Sequence, residues 1–203
     1  MTKWFGLLLG ALLTLLVSGC GFYRVDYTLP GFIEVMEQTH NYTLTIETAS
    51  MESGSTTYLL RMDEGSFYEQ HRYNGSMFEI YVLEEEGVHY SYTRVHPYHP
   101  WTKTRHTQGA MHWLFAHAHA YLELERDWLI YDGNHAFRLK EDHYADVFGE
   151  DAQDVKGMRV EMHDERIVVF IESVEGINAS TKTITFSAVG ETIVGLPGET
   201  RLP

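Results

Sequence analysis

Six of the twelve histidines, His96, His99, His106, His112, His117 and His119, fall within 24 residues. Neutral imidazole is a common zinc ligand, so metal chemistry is sought here first. Spacing decides which rings can converge. On a helix, His117 and His119 point about 200° apart and cannot share an ion, while His112 and His119 share a face but sit about 10 Å apart along the axis. On a strand, His117 and His119 face the same way and can chelate. The alternative metal set is therefore His96, His99, His117 and His119, against the plainer expectation of solvated or hydrogen-bonded imidazoles and no cofactor. Catalysis has less to rest on. The sequence contains no GxSxG, HExxH, P-loop or GxGxxG pattern. Glu84-Glu85-Glu86 abuts a turn, and Glu141-Asp142 opens a short helix whose dipole it favourably opposes. The chain is not expected to be an enzyme.

The single cysteine has a distinctive setting. Met1-Thr2-Lys3 precedes an apolar run from Trp4 to Val17, followed by Ser18-Gly19-Cys20. One positive charge, 14 mostly apolar residues and small residues before a cut site make a secretory signal peptide. The run is short for a membrane span, which needs about 20 residues. Val17-Ser18-Gly19-Cys20 resembles the lipobox of bacterial lipoproteins. That resemblance implies a diacylglyceryl group on the Cys20 thiol, cleavage just before it, and a protein held at the cell membrane on its extracytoplasmic side. Each buried acyl CH₂ contributes about 0.8 kcal/mol, so two or three chains hold such a protein stably. With Cys20 spent as the anchor, neither a disulfide nor a CxxC site remains.

Composition narrows the partners. Removing residues 1–19 leaves 184 residues, a length that suits one domain with a substantial core. It also leaves 14 basic against 29 acidic side chains, a net charge near −15 with histidine neutral. Nucleic acid and electrostatic binding to anionic lipid surfaces are disfavoured. A monomer is expected, tethered by its lipid. The 13 Tyr, 10 Phe and 4 Trp exclude a disordered composition and lean toward β-structure.

The elements that must position these groups follow from periodicity. Residues 20–30 read as a lipidated tether ending at Pro30, and 31–203 as one domain. Phe32, Val35 and Met36 lie at helical spacing over Gly31–His40, and Pro30 suits a helix start. The period then changes to two. Strands are expected over Asn41–Glu47, around Tyr58–Met62, and over Phe67–Tyr73, Met77–Leu83 and Val88–Val95. Ser53-Gly54, Glu64-Gly65, Asn74-Gly75 and Glu86-Gly87 mark the turns of this meander. His96–Gln108, with two prolines, reads as a loop. Met111, Leu114, Phe115, Ala118 and Leu122 form a helical stripe, while His117–Glu125 also alternates with Ala118, Ala120, Leu122 and Leu124; the alanines and the length favour a helix that ends near Glu123. A hairpin is expected over Asp127–Tyr131 and His135–Lys140 across Asp132-Gly133-Asn134, then a short acidic helix over Glu141–Phe148. Strands Val155–His163, Arg166–Val174 and Thr181–Ala188 come next, with a last edge strand over Thr192–Pro197.

This order of helix, long meander, central helix and closing strands resembles the LolA/LolB lipoprotein-carrier fold, shared by LppX/LprG-type lipoproteins. The closing stretch from Thr183-Ile184-Thr185-Phe186-Ser187 through Val194-Gly195-Leu196-Pro197 is similar to the end of those lipoproteins. Trp128–Leu139 and the acidic helix after it fit their middle. The resemblance implies an α+β domain in which a strongly curved, unclosed antiparallel sheet wraps around two or three short helices and holds acyl chains in its hollow. It also implies a ligand-facing set of Phe32, Val35, Met36, Met111, Leu114, Phe115 and Ala118. The alternative is an interaction domain in which these stripes simply fill the core, with an aromatic patch at Tyr98–Trp101.

Overall fold

The computed structural model describes residues 41–50, 53–63, 65–106, 118, 120–163, 165–173 and 179–195. They form one eleven-stranded, wholly antiparallel and unclosed sheet. The first half is a meander: β1 (Tyr42–Ser50), β2 (Gly54–Asp63), β3 (Ser66–Tyr73), β4 (Ser76–Glu85), β5 (Val88–Arg94) and β6 (Thr102–Arg105). The second half comprises β7 (Leu129–Gly133), β8 (Ala136–Leu139), β9 (Val155–His163), β10 (Arg166–Ser173) and β11 (Ser180–Ser187). The strand order is β6-β5-β4-β3-β2-β1-β11-β10-β9-β8-β7. The two meanders join at the centre, where β1 pairs with β11 and Leu44 lies opposite Phe186. Strands β6 and β7 are the two edges.

Alternation creates one continuous apolar face. Tyr42, Leu44 and Ile46 on β1 are buried, as are Ile184 and Phe186 on β11 and Ile167, Val169 and Ile171 on β10. Leu60, Phe67 and Val82 extend this core toward β4, and Met158, Val160 and Leu139 extend it toward β8. Fully burying a side chain of this size is worth about 1.5–3 kcal/mol, so the face dominates folding. Ala118, Tyr121 and Leu122 pack onto it from between the two meanders, with Tyr144 from the second half.

The turns use the backbone freedom their residues allow. Asn74 and Gly75 have φ of 45° and 82°, the two left-handed residues of a tight hairpin, and Glu86-Gly87 repeats the device at 52° and 78°. The β7–β8 hairpin differs from expectation. Its tip is Asn134-His135, both left-handed, and Gly133 at φ 83° belongs to β7 where the register shifts. The extra residue moves the turn one position along the chain.

Three further expectations are corrected. The loop expected over His96–Gln108 contains β6, paired with β5 from Tyr90↔Arg105 to Thr93↔Thr102. Thr-Lys-Thr-Arg has no apolar residue, so hydrophobic alternation gives it no signal, and an edge strand needs none. The edge strand expected over Thr192–Pro197 is absent from Thr192 to Gly195. There the Asn41 side chain accepts from the Thr192 N–H and donates to the Thr192 carbonyl, both at 2.8 Å, which satisfies the backbone without a neighbouring strand. One α-helix lies wholly among the described residues, where two or three were expected: α1 (Tyr144–Phe148), entered through a 3-10 turn at Glu141–His143, while Ala118 is a single described helical residue of another segment. The helix expected over Gly31–His40 and most of that expected from Gly109 lie outside the described residues. Ala120–Leu122 already form a turn, so the second segment ends before Glu123.

Candidate functional site

Register defines the apolar face row by row. Leu44, Leu60, Phe186 and Ile167 share one row across β2-β1-β11-β10. Ile46, Tyr58, Ile184, Val169 and Val160 form the next. Of the seven residues expected to face a ligand, Ala118 is fully buried in this core. Phe32, Val35, Met36, Met111, Leu114 and Phe115 lie outside the described residues, as does Cys20. Burial pushes the Tyr42 phenol far above its ordinary value.

Polar groups interrupt this face, and apolar periodicity did not reveal them. His71 stacks on Tyr58 with ring centroids 4.2 Å apart. Its Nε2 is buried and has no hydrogen-bond partner among the described residues. Lys182 shares the face of Ile184 and Phe186, and its ammonium stands 5.8 Å from the Tyr121 ring. Both residues occupy inward positions of strands recognised from their apolar neighbours, so position along those strands was the available signal.

The opposite face carries the tyrosines of the first meander. Tyr68, Tyr81 and Tyr92 form a second buried cluster with Leu59, Leu83, Tyr90, Trp101 and Val194 around it. Tyr68 and Tyr81 lie 4.4 Å apart, and Trp101 meets Tyr81 edge-on at 5.3 Å. At its centre is Glu79, a carboxylate only 4% exposed. It accepts hydrogen bonds from Tyr68 Oη at 2.7 Å, Gln70 Nε2 at 3.4 Å and Arg94 Nε at 2.5 Å. The Arg94 guanidinium in turn lies 4.4 Å from the Trp101 ring. Burial alone would raise the Glu79 pKa, but the donors and the Arg94 charge outweigh it and hold the carboxyl below its usual value. Lys103, bonded to Glu85 at 2.6 Å, covers Tyr90 at 4.1 Å. The second face is thus a packed aromatic layer under a charged surface. Trp101 belongs to it, and Tyr98, 88% exposed, is the part of the expected aromatic patch that faces water.

The histidines divide. His96 and His99 have ring centroids 6.2 Å apart on the β5–β6 connection, and His96 stacks on Tyr98 at 5.2 Å. His117 and His119 lie outside the described residues. Among the described residues, no three His, Cys, Asp or Glu side chains converge on a point that could hold a metal ion.

Comparison with known proteins finds no family model that matches the chain, and no match among curated proteins or solved structures.

Proposed function

We propose that the chain is an exported lipoprotein, anchored through Cys20 on the extracytoplasmic side of the cell membrane, whose sheet curves into a LolA/LppX-like half-barrel and takes a lipid or acyl chain into its concave face. The observation that supports it most is the single apolar face running from β4 to β8 across an open sheet with two free edges. Adjacent strands twist by roughly 20–25°, so eleven in a row coil rather than lie flat. In this reading the two meanders curl toward one another around the central β1–β11 pair, with the apolar side enclosed. Charge is consistent with this reading. An acidic domain gains nothing from an anionic bilayer surface, so contact with lipid falls to the covalent anchor and the hollow. The Tyr68–Tyr81–Tyr92 layer fills the outer face, so in this reading a guest enters on the inner face, beside the Ala118, Tyr121 and Leu122 side chains that pack there.

Native mass spectrometry of residues 21–203, followed by organic extraction, tests this reading. A bound mass that is released on denaturation and extracts as lipid is the expected result. A clean apo mass, after expression in a host rich in membrane lipid, would overturn it in favour of a domain with a filled core.

A further inference from the structure

The apolar face changes character toward the end of the sheet that carries the β1–β2, β3–β4 and β10–β11 connections. Ile46 and Ile184 oppose one another across the β1–β11 pair. Two residues further on, the pair is Thr48 and Lys182, and Thr56 continues the row on β2. The next pair, Ser50 and Ser180, lines a solvent-open cleft of about 460 Å³ at the strand ends, shared with Ala49, Thr181 and Glu172 of the opposite face. The face therefore runs from hydrocarbon through hydroxyls toward water, with Lys182 one pair inward of the cleft.

Lys182 is half-buried there. Its ammonium has the Tyr121 ring for a neighbour and forms no ion pair or hydrogen bond with any described residue. Burial holds its pKa below the ordinary lysine value, and the Asp151 charge, acting from beyond ion-pair range, pulls it partly back. Withdrawing an ammonium from water against an aromatic face alone is costly. An anion seated at the rim would offset that cost, and the row of threonine hydroxyls beside it offers further donors. We propose that the ligand of the apolar face is an anionic amphiphile, its chain lying along the core and its carboxylate or phosphate headgroup paired with Lys182 at the Thr48–Ser50 end. This assignment rests on the apolar-ligand reading and names the chemical class of that ligand.

The test compares parinaric acid with its methyl ester, which share one fluorescent chain and differ in charge. Both are titrated into the chain lacking residues 1–19, as wild type, Lys182→Gln and Lys182→Arg, each checked by thermal melting. Wild type is expected to bind the acid about tenfold more tightly than the ester, the scale of one charge-assisted hydrogen bond. Lys182→Gln should lose that preference, and Lys182→Arg should keep it. Equal binding of acid and ester by the wild type would overturn the headgroup assignment and leave the apolar-ligand reading standing, and this comparison holds even if the glutamine variant fails to fold. Binding of neither probe would remove both. Inorganic phosphate at millimolar concentration should not displace the acid, and displacement would overturn the amphiphile in favour of a free-anion site.

Discussion

Glu79 shows how one side chain can be demanding without being catalytic. A carboxylate 4% exposed on a sheet face is tolerable only because three donors reach it, one of them a guanidinium. Its lowered pKa carries a sign. The unfolded carboxyl titrates near 4.5, so the stabilisation is fully present above that pH and is lost as pH falls through the lower folded value. Glu79→Gln is therefore expected to destabilise the domain by about 2 kcal/mol at pH 7, since it weakens charged hydrogen bonds and strands Arg94. Urea melts of the two proteins should converge as pH drops below 4.5. A constant difference down to pH 2.5 would show that packing, not charge, is what the substitution removes. Lys182 is the converse case, a charge half-buried against a ring. Spacing along the chain marks Lys182 only as a lysine in phase with Ile184 and Phe186, and gives no sign that Glu79 is buried among tyrosines.

At the scale of elements, hairpins set the register on which both faces depend. A one-residue slip would exchange the apolar and tyrosine faces of a strand. The Asn74-Gly75 turn holds β3 against β4 from Tyr73↔Ser76 to Phe67↔Val82. Gly75→Ala meets open space but must keep a φ of 82°, so a loss of about 1 kcal/mol is expected from backbone strain alone. Chemical denaturation measures it, and an unchanged midpoint would mean that the turn has rearranged. Elements were legible where apolar residues alternate. Tyr42, Leu44 and Ile46, and Ile167, Val169 and Ile171, all turn inward as their period requires. Strand β6 was not legible, because an all-polar edge is specified by the strand it pairs with. The Asn134-His135 tip was not legible either, because a bulge at Gly133 is a property of two strands together.

At the scale of the molecule, the chain meets itself late. Strand β1 pairs with β11, and Leu44 lies opposite Phe186 across nearly the whole length of the described chain. Such non-local pairing favours slow folding. No helix among the described residues is long and apolar enough to cross a membrane. In the proposed arrangement the acyl groups at Cys20 provide the attachment. Cys20→Ser in the full chain is expected to abolish labelling by radioactive palmitate and to block cleavage after Gly19. Continued labelling, read by gel and fluorography, would exclude Cys20 as the acceptor. The acidic charge, the β-rich class and the inward residues of most strands were determined by the sequence itself, the charge as a plain sum and the rest because alternation depends on neighbours within a few residues. The joining of two meanders through β1 and β11, the buried Glu79 among tyrosines, and the placing of Lys182 at the rim of the apolar face were decided only by the tertiary structure. These depend on which strands become neighbours, and strand pairing across well over a hundred residues is chosen by the burial of the whole face rather than by any local pattern.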